Sequence, residues 1–171
     1  MKEELVYVER QCFNRWLLAV NVLVTNGSFF YVGISRYFVE KKWGNNPMDD
    51  RIYIFVAVFL LFISVGFFFI RLDTVVNNEG VYYRMFPFHP RFHFQPWEFI
   101  SEAEVMGLRK RGVIFRGYGI RFGFRSQSYT ISGSRVLLLT LNNNKKIYIG
   151  TRKPEELSEC LIKLHAERKQ K

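Results

Sequence analysis

Two long runs of residues without a charge lie in the first seventy positions of the chain. The more apolar run covers residues 52–70 and is interrupted only by Ser64 and Gly66. At 1.5 Å per residue, a helix of this length nearly spans a hydrocarbon core of about 30 Å. A helix buried in a soluble core would carry polar residues every few positions. The run therefore predicts a transmembrane helix.

The first run, residues 16–35, is less apolar. Its polar and small residues are Asn21, Thr25, Asn26, Gly27, Ser28 and Gly33. At a contact between two membrane helices, such residues allow close approach of the backbones and give amides partners. A cleaved signal peptide is the alternative, but the run exceeds the usual length of roughly 7–15 apolar residues and no small-residue cleavage motif follows it. Residues 1–70 are therefore predicted to contain a transmembrane helical hairpin.

The orientation of this hairpin follows from the positive charges. Residues 1–15 carry three basic residues, and the short polar connection between the runs, residues 36–51, carries four. These counts are nearly equal, so the dense positive charge after residue 70 decides the prediction. Both termini are predicted to be cytoplasmic, with the protein integral to an inner or plasma membrane.

After residue 70 the pattern changes to short alternating runs separated by turn residues, which is typical of strands. Two hairpins are clearest, because Asn and Gly residues separate their strands and tolerate the backbone of tight turns. Seven strands are predicted, at residues 72–76, 81–86, 102–108, 119–125, 127–131, 136–141 and 145–150.

The chain ends in a predicted amphipathic helix over about residues 154–168. Pro154 suits the first helical position, and two glutamates follow it at the positive end of the helix dipole. One apolar face contains Leu157, Cys160, Leu161 and Leu164. The predicted fold class is an α+β membrane protein: the hairpin is followed by a soluble domain, residues 71–171, built as a small seven-stranded β-barrel or bent sheet capped by this helix.

Three segments resemble bacterial pleckstrin-homology-like membrane proteins. They are Gly117-Tyr118-Gly119-Ile120-Arg121, Ser128-Tyr129-Thr130-Ile131-Ser132-Gly133, and I-Y-I-G-T-R-K-P-E-E-L at residues 147–157. The resemblance implies two transmembrane helices, a seven-stranded barrel and a C-terminal helix, and so covers almost the whole chain. Trp is commoner in the family where Tyr118 stands, but both are large aromatics with a polar edge. The family largely lacks an assigned activity, so the resemblance implies a fold more than a function.

Composition adds one feature to this picture, which is charge. The chain has 171 residues, 49% of them hydrophobic, and a net charge of +10, a combination that excludes intrinsic disorder. No Asp or Glu occurs from residue 105 to residue 154. The basic residues of this acid-free block are Arg109, Lys110, Arg111, Arg116, Arg121, Arg125, Arg135, Lys145, Lys146, Arg152 and Lys153.

A basic domain beside a bilayer meets the anionic leaflet first, where each Lys or Arg contributes about 1 kcal/mol. The predicted headgroup contacts are Arg109, Lys110, Arg111, Arg116 and Arg121. A basic face that is merely solvated is the alternative. Nucleic acid is a less favoured partner, because alternating aromatic and Arg residues over 115–125 also follow from the inward and outward positions of a strand.

No catalytic, cofactor or metal site is predicted. His89 and His93 flank Pro90, which disfavours a helical pair of metal ligands, and no Cys or Asp stands nearby. Cys160 falls on the apolar face of the last helix, where a small hydrophobic residue is expected. The glycines match no phosphate-binding loop.

The sequence therefore predicts a non-enzymatic binding or scaffold protein, anchored in the membrane, whose basic domain contacts anionic lipid headgroups or a protein partner. An accessory subunit of a larger membrane complex is the alternative, with the polar positions of the first run and an exposed strand edge as contacts. An enzyme whose site assembles from scattered residues is a third hypothesis, without a motif behind it.

Overall fold

The computed structural model of the chain describes residues 6–38, 49–107 and 119–169. These residues form two compact units, a helical unit at residues 13–70 and a β unit built from the chain on both sides of it. The elements are β1 (Tyr7–Cys12), α1 (Arg15–Phe38), α2 (Asp50–Gly66), β2 (Arg71–Val76), β3 (Gly80–Phe86), β4 (His93–Pro96), β5 (Ile100–Gly107), β6 (Gly119–Phe122), β7 (Ser126–Thr130), β8 (Arg135–Leu141), β9 (Lys146–Thr151) and α3 (Pro154–Lys169). Two 3-10 helices, Phe67–Phe69 and Trp97–Phe99, precede β2 and β5.

The helical unit contains two helices that are long and apolar enough to cross a membrane. The first spans 22 residues, Arg15–Arg36, with a mean hydropathy of 1.6, and the second spans 20 residues, Asp50–Phe69, with a mean hydropathy of 2.8. None of the residues of α2 is buried. The two apolar runs predicted from the sequence are therefore helices, with bounds within a few residues of those expected.

Small and polar residues bring α1 and α2 together. The Asn26 side-chain amide donates a hydrogen bond to the Ser64 hydroxyl at 3.3 Å. A Cβ atom at Gly33 would lie 3.3 Å from the Tyr53 ring, so the absence of a side chain allows this close approach. Gly27, by contrast, faces open space. The predicted role of small and polar residues at the helix contact is confirmed for Asn26 and Gly33.

The β unit consists of two sheets. The first has four antiparallel strands in the order β1-β2-β3-β4, and the second has five in the order β5-β8-β9-β7-β6. In the second sheet β7 and β9 are parallel, and the other pairs are antiparallel. Tyr83 of β3 and Tyr129 of β7 are both buried, and their ring centroids lie 5.1 Å apart. The two sheets therefore share a hydrophobic core.

The prediction of a seven-stranded barrel was wrong. The described residues contain nine strands in two open sheets. Both strands that the sequence did not predict, β1 and β4, belong to the first sheet, and each is at one of its edges. Pro90 and Pro96 lie at or near β4, and prolines within a run indicate a loop or an edge strand.

Strand β1 escapes prediction because its pattern is inverted. Its inward positions are Tyr7, Glu9 and Gln11, all buried, whereas Val8 points outward with 63% of its surface exposed. Sequence periodicity assigns apolar residues to the core face, and here two polar residues occupy it. The β unit therefore includes residues before the helices as well as those after residue 70.

The hairpins and the last helix agree with the sequence. Strands β2 and β3 pair with Val76 opposite Val81, and β8 and β9 pair with Thr140 opposite Lys146. The apolar face of α3 is buried as predicted, at Leu157, Cys160, Leu161 and Leu164. The C-terminal helix and both turn assignments are confirmed.

The buried carboxylate of Glu9 joins β1 to the end of β9. It accepts hydrogen bonds from the Tyr7 hydroxyl at 2.6 Å, the Thr151 hydroxyl at 2.9 Å and the Arg152 backbone N–H at 2.8 Å. Burial, together with the hydrogen bond to Glu9, raises the pKa of Tyr7 above its ordinary value. A carboxylate removed from water needs such partners, and three donors supply them.

Gln11 makes the second polar connection between β1 and the five-stranded sheet. Its side chain is fully buried, its amide N–H donates to the Gly150 carbonyl at 2.6 Å, and its oxygen accepts from the Ser132 hydroxyl at 3.3 Å. Nearby, Gly133 has a φ of +97°, and a Cβ atom there would collide with the Thr151 carbonyl. Only glycine fits at that position.

We expect substitution of polar Gln11 to destabilise the β unit more than substitution of apolar Val8. Gln11→Ala leaves the buried Gly150 carbonyl without its donor, which costs about 1–3 kcal/mol, whereas Val8→Ala acts on an exposed side chain and should change the free energy of unfolding by less than about 0.5 kcal/mol. Urea-dependent proteolysis of the detergent-solubilised full chain measures both. A larger loss for Val8→Ala would show that β1 does not pack as described.

Candidate functional site

Most of the predicted headgroup contacts lie outside the described residues. Arg109, Lys110, Arg111 and Arg116 are among residues 108–118, so their assignment stays a prediction. Arg121 is described and lies on β6 with an exposed side chain. The structure therefore neither gathers these five residues nor separates them.

Other basic residues of the acid-free block have structural partners. Arg135 forms an ion pair with Glu155 at 3.8 Å, and Lys153 forms one with Glu156 at 2.8 Å. Arg152 donates to the Cys12 carbonyl at 2.6 Å and to the Ser132 hydroxyl. The contacts of Arg152 hold β1 against the five-stranded sheet, so this residue has a structural role.

Three arginines outside the block share one buried carboxylate. Asp73 of β2 lies 2.8 Å from the Arg10 guanidinium, 2.7 Å from that of Arg84 and 3.5 Å from that of Arg71. Burial alone would raise the pKa of Asp73, but the hydrogen bonds and charges of Arg84 and Arg10 hold it below its ordinary value. These cations are therefore engaged within the first sheet.

Arg125, Lys145 and Lys146 instead line a single cleft of about 440 Å³, named here the basic cleft. It lies where the turn between β6 and β7 approaches the turn between β8 and β9. The other residues that line it are Gln95, Phe99, Gly123, Phe124, Ser126, Gln127, Leu141, Asn142, Asn143 and Ile147. Among the described residues that line the cleft, none is acidic.

The parallel pairing of β7 with β9 brings these cations together. Ser126 is the register partner of Lys146, and the Lys146 backbone N–H donates to the Arg125 carbonyl at 2.9 Å. The preceding turn is tight, because the Gly123 N–H donates to the Ser126 carbonyl at 2.7 Å and a Cβ atom at Gly123 would lie 2.5 Å from the Ser126 hydroxyl oxygen. Backbone hydrogen bonds therefore fix the spacing of Arg125 and Lys146.

The turn between β8 and β9 contains Asn142, Asn143 and Asn144 and is named the asparagine turn. It forms the wall of the basic cleft opposite the turn between β6 and β7. The Asn142 backbone N–H donates to the Phe99 carbonyl at 3.0 Å, and its side-chain amide donates to the Glu98 carbonyl at 2.8 Å. The Asn143 side-chain oxygen accepts from the Lys145 N–H at 3.0 Å. Because these bonds hold the turn at both ends, the wall is formed before any ligand arrives.

The charges of the basic cleft are not neutralised within the described part of the chain. Arg125, Lys145 and Lys146 form no ion pair with any carboxylate among those residues. The Arg125 guanidinium lies 6.0 Å from the centroid of the Phe124 ring, at the far limit of a cation–π contact. Three cations that line one cleft without a neutralising partner among these residues attract anions.

His89 and His93 form an aromatic cluster with two tyrosines. The rings of His89 and His93 lie 5.0 Å apart, and those of Tyr83 and Tyr129 pack against them at 5.5 Å and 5.8 Å. Burial and the neighbouring His89 lower the pKa of His93. On α3, away from these rings in the sequence, burial raises the pKa of the Cys160 thiol. Within the described ranges, no group of three or more His, Cys, Asp or Glu side chains could hold a metal ion.

No protein-family model matches the chain, and no curated protein does. The basic cleft is therefore interpreted from its own geometry and charge.

The sequence indicated the acid-free block of basic residues, but it did not indicate the basic cleft. Arg125 precedes Lys145 by twenty positions, and only the parallel pairing of β7 and β9 places them side by side. A partial indication was present, since an Asn-rich turn followed by two lysines marks a basic turn at the end of a predicted hairpin.

We expect the stability contributed by Asp73 to depend on pH. An unfolded Asp has a pKa of about 3.9, and the folded pKa of Asp73 is lower, so its stabilisation is complete above about pH 4 and is lost as the pH falls through the folded value. Asp73→Asn should lower the free energy of unfolding by about 1–3 kcal/mol at neutral pH, with a smaller difference from wild type in acid. Urea midpoints of the full chain across this pH range measure the effect.

Glu98→Gln is the matched control for Asp73→Asn, because the Glu98 side chain is exposed. It should leave the urea midpoint close to wild type at every pH. A constant difference between Asp73→Asn and wild type down to the most acidic folded state would refute the charge-based role of Asp73.

Proposed function

We propose that the chain is a membrane-anchored, non-enzymatic binding protein, in which α1 and α2 cross a membrane and the β unit attaches to anionic lipid headgroups. The observation that carries the proposal is a set of cations in the basic cleft that no described carboxylate neutralises, on a chain with two helices of membrane-spanning length. Anionic headgroups are the nearest partners for such charges beside a bilayer.

The exposed apolar surface of the helical unit supports membrane insertion. Phe55, Phe59 and Phe62 of α2 expose 69%, 53% and 77% of their surface. In water each exposed Å² of apolar surface costs about 25 cal/mol, so a helix of this kind requires an apolar environment. A bilayer supplies that environment for the sides of the two helices that do not contact each other.

The pairing of β1 with β2 supports the proposal that both ends of the helical hairpin lie on the same side of the membrane. Cys12, the last residue of β1, is the register partner of Arg71, the first residue of β2. The chain therefore leaves and re-enters the β unit at one position. Two membrane crossings return a chain to the side on which it began, and the proposal places this side in the cytoplasm.

The proposal also uses the resemblance of the chain to bacterial pleckstrin-homology-like membrane proteins, which concerns the order of its elements. Two apolar helices, a β domain and a C-terminal helix follow one another in the order that this resemblance implies. Two open sheets and a strand before the helices depart from it. The resemblance adds to the architecture of the proposal, whereas the attachment to anionic lipid comes from the charges.

Binding of the full chain to anionic vesicles tests the proposal. The chain is placed in small nanodiscs of neutral phosphatidylcholine and mixed with sedimentable vesicles of phosphatidylcholine alone or with phosphatidylglycerol. We expect co-sedimentation with the anionic vesicles only, weakened as salt shortens the screening length from about 10 Å at 0.1 M to about 3 Å at 1 M. Empty nanodiscs serve as the control.

Absence of binding at low salt would overturn the attachment to lipid and favour a protein partner. Equal binding to both kinds of vesicle would overturn the attachment to anionic headgroups, because it would show that charge does not drive the interaction. The full chain is required in this experiment, since a fragment starting at residue 71 lacks β1 and its buried contacts.

Cysteine labelling tests the proposed topology. In a chain with Cys12 and Cys160 replaced by alanine, single cysteines are placed at exposed Val6, at exposed Asn143 and at Asn45 in the connection between the helices. An impermeant thiol reagent applied to intact cells should label only the cysteine at position 45. Labelling at positions 6 and 143 on opposite sides of the membrane would refute the two-crossing hairpin.

A further inference from the structure

We propose that the basic cleft is a binding site for a single phosphate group, which the side chains of Arg125, Lys145 and Lys146 contact directly. This inference deepens the proposed function and rests on it for the source of the phosphate, an anionic lipid headgroup. The cleft was not among the headgroup contacts predicted from the sequence, which were Arg109, Lys110, Arg111, Arg116 and Arg121.

The side chains around the basic cleft favour an anion by their hydrogen-bonding chemistry. Arg and Lys are donors without an acceptor, and three of them line the cleft. The Asn143 oxygen is engaged by the Lys145 N–H, so the donor group of that amide is what remains for a ligand. Because no described residue of the lining is acidic, a phosphate oxygen finds donors there and no repelling carboxylate from that part of the chain.

The backbone around the basic cleft is rigid enough to hold a specific site. Lys146 is tied to Arg125 through the parallel ladder, and the asparagine turn is tied to the Phe99 and Glu98 carbonyls. Arg125, just before β7, and Lys146, at the start of β9, carry like charges that repel each other, and a phosphate between them offsets this repulsion. Preformed donors bind more tightly, because less ordering is needed on association.

The size and rim of the basic cleft favour a lipid headgroup as the source of the phosphate. A volume of about 440 Å³ lies at the small end of ligand sites, which suits a phosphate with a small polar body. Two aromatic side chains also line the cleft: Phe124 is 98% exposed and Phe99 is 58% exposed. Exposed aromatic rings beside a phosphate site are suited to the interface of a bilayer.

A pair of charge-matched variants tests the site. Arg125→Ser/Lys146→Ser removes two cations from the basic cleft, and Arg91→Ser/Lys163→Ser removes two exposed cations that do not line it. Binding of glycerol 1-phosphate to the detergent-solubilised full chain is measured by calorimetry. We expect the first variant to weaken binding by about tenfold or more, and the second by less than about twofold.

A conservative variant guards against loss of folding. Lys146→Arg keeps the charge in the basic cleft and should retain binding within about threefold of wild type. Equal thermal unfolding midpoints for all variants show that the β unit is intact. Equal weakening by both double variants would overturn the site, since it would show attraction by net charge alone.

The vesicle experiment with the same variants tests two questions separately: whether the basic cleft is the binding site, and whether the phosphate belongs to a lipid. Loss of co-sedimentation with phosphatidylglycerol vesicles in Arg125→Ser/Lys146→Ser, but not in Arg91→Ser/Lys163→Ser, supports the basic cleft as the headgroup site. Wild-type binding to vesicles with equal loss in both variants refutes the site and leaves the proposed function standing. Saturable binding of glycerol 1-phosphate without vesicle binding supports the site with a soluble phosphate ester as its ligand, and refutes the proposed function.

Discussion

The β unit depends on the pairing of polar groups buried between β1 and the five-stranded sheet. Glu9 and Gln11 occupy positions that apolar side chains fill in most strands, and they are tolerated because Thr151, Arg152 and Gly150 supply their partners. An unpaired buried polar group costs about 1–3 kcal/mol, so each side of the contact requires the other. A strand that precedes the helices in sequence is thereby an obligatory part of the domain that follows them.

The same contact involves two of the segments that carry the family resemblance. In the run from residue 147 to residue 157, Gly150 and Thr151 meet β1, and Leu157 enters the core. Gly133, at the end of a second segment, has a positive φ and abuts the Thr151 carbonyl. These residues therefore take part in the packing of the β unit.

Sequence patterns predicted those elements in which apolar residues face the core or form one continuous run. The two apolar helices, the β2–β3 and β8–β9 hairpins and the buried face of α3 all place apolar residues on one side or in one run. Strand β1 was missed because polar residues face its core. The barrel was wrong because closure depends on pairing between distant strands, which local periodicity does not report. The basic cleft was missed for the same reason, since it requires β7 beside β9.

Because the links between the helices and the β unit are short, a headgroup site on the β unit would need only a weak affinity. Two residues separate Cys12 from α1, and Ile70 alone separates the 3-10 helix Phe67–Phe69 from β2. In the proposed function, a site tethered by such short links meets headgroups at an effective concentration in the millimolar range or above. A site with only three cations and weak affinity for free phosphate would then be occupied. Under the proposal, the cations of the basic cleft become important because anchoring concentrates the headgroups around them, whereas the same charges on a freely diffusing domain would bind little.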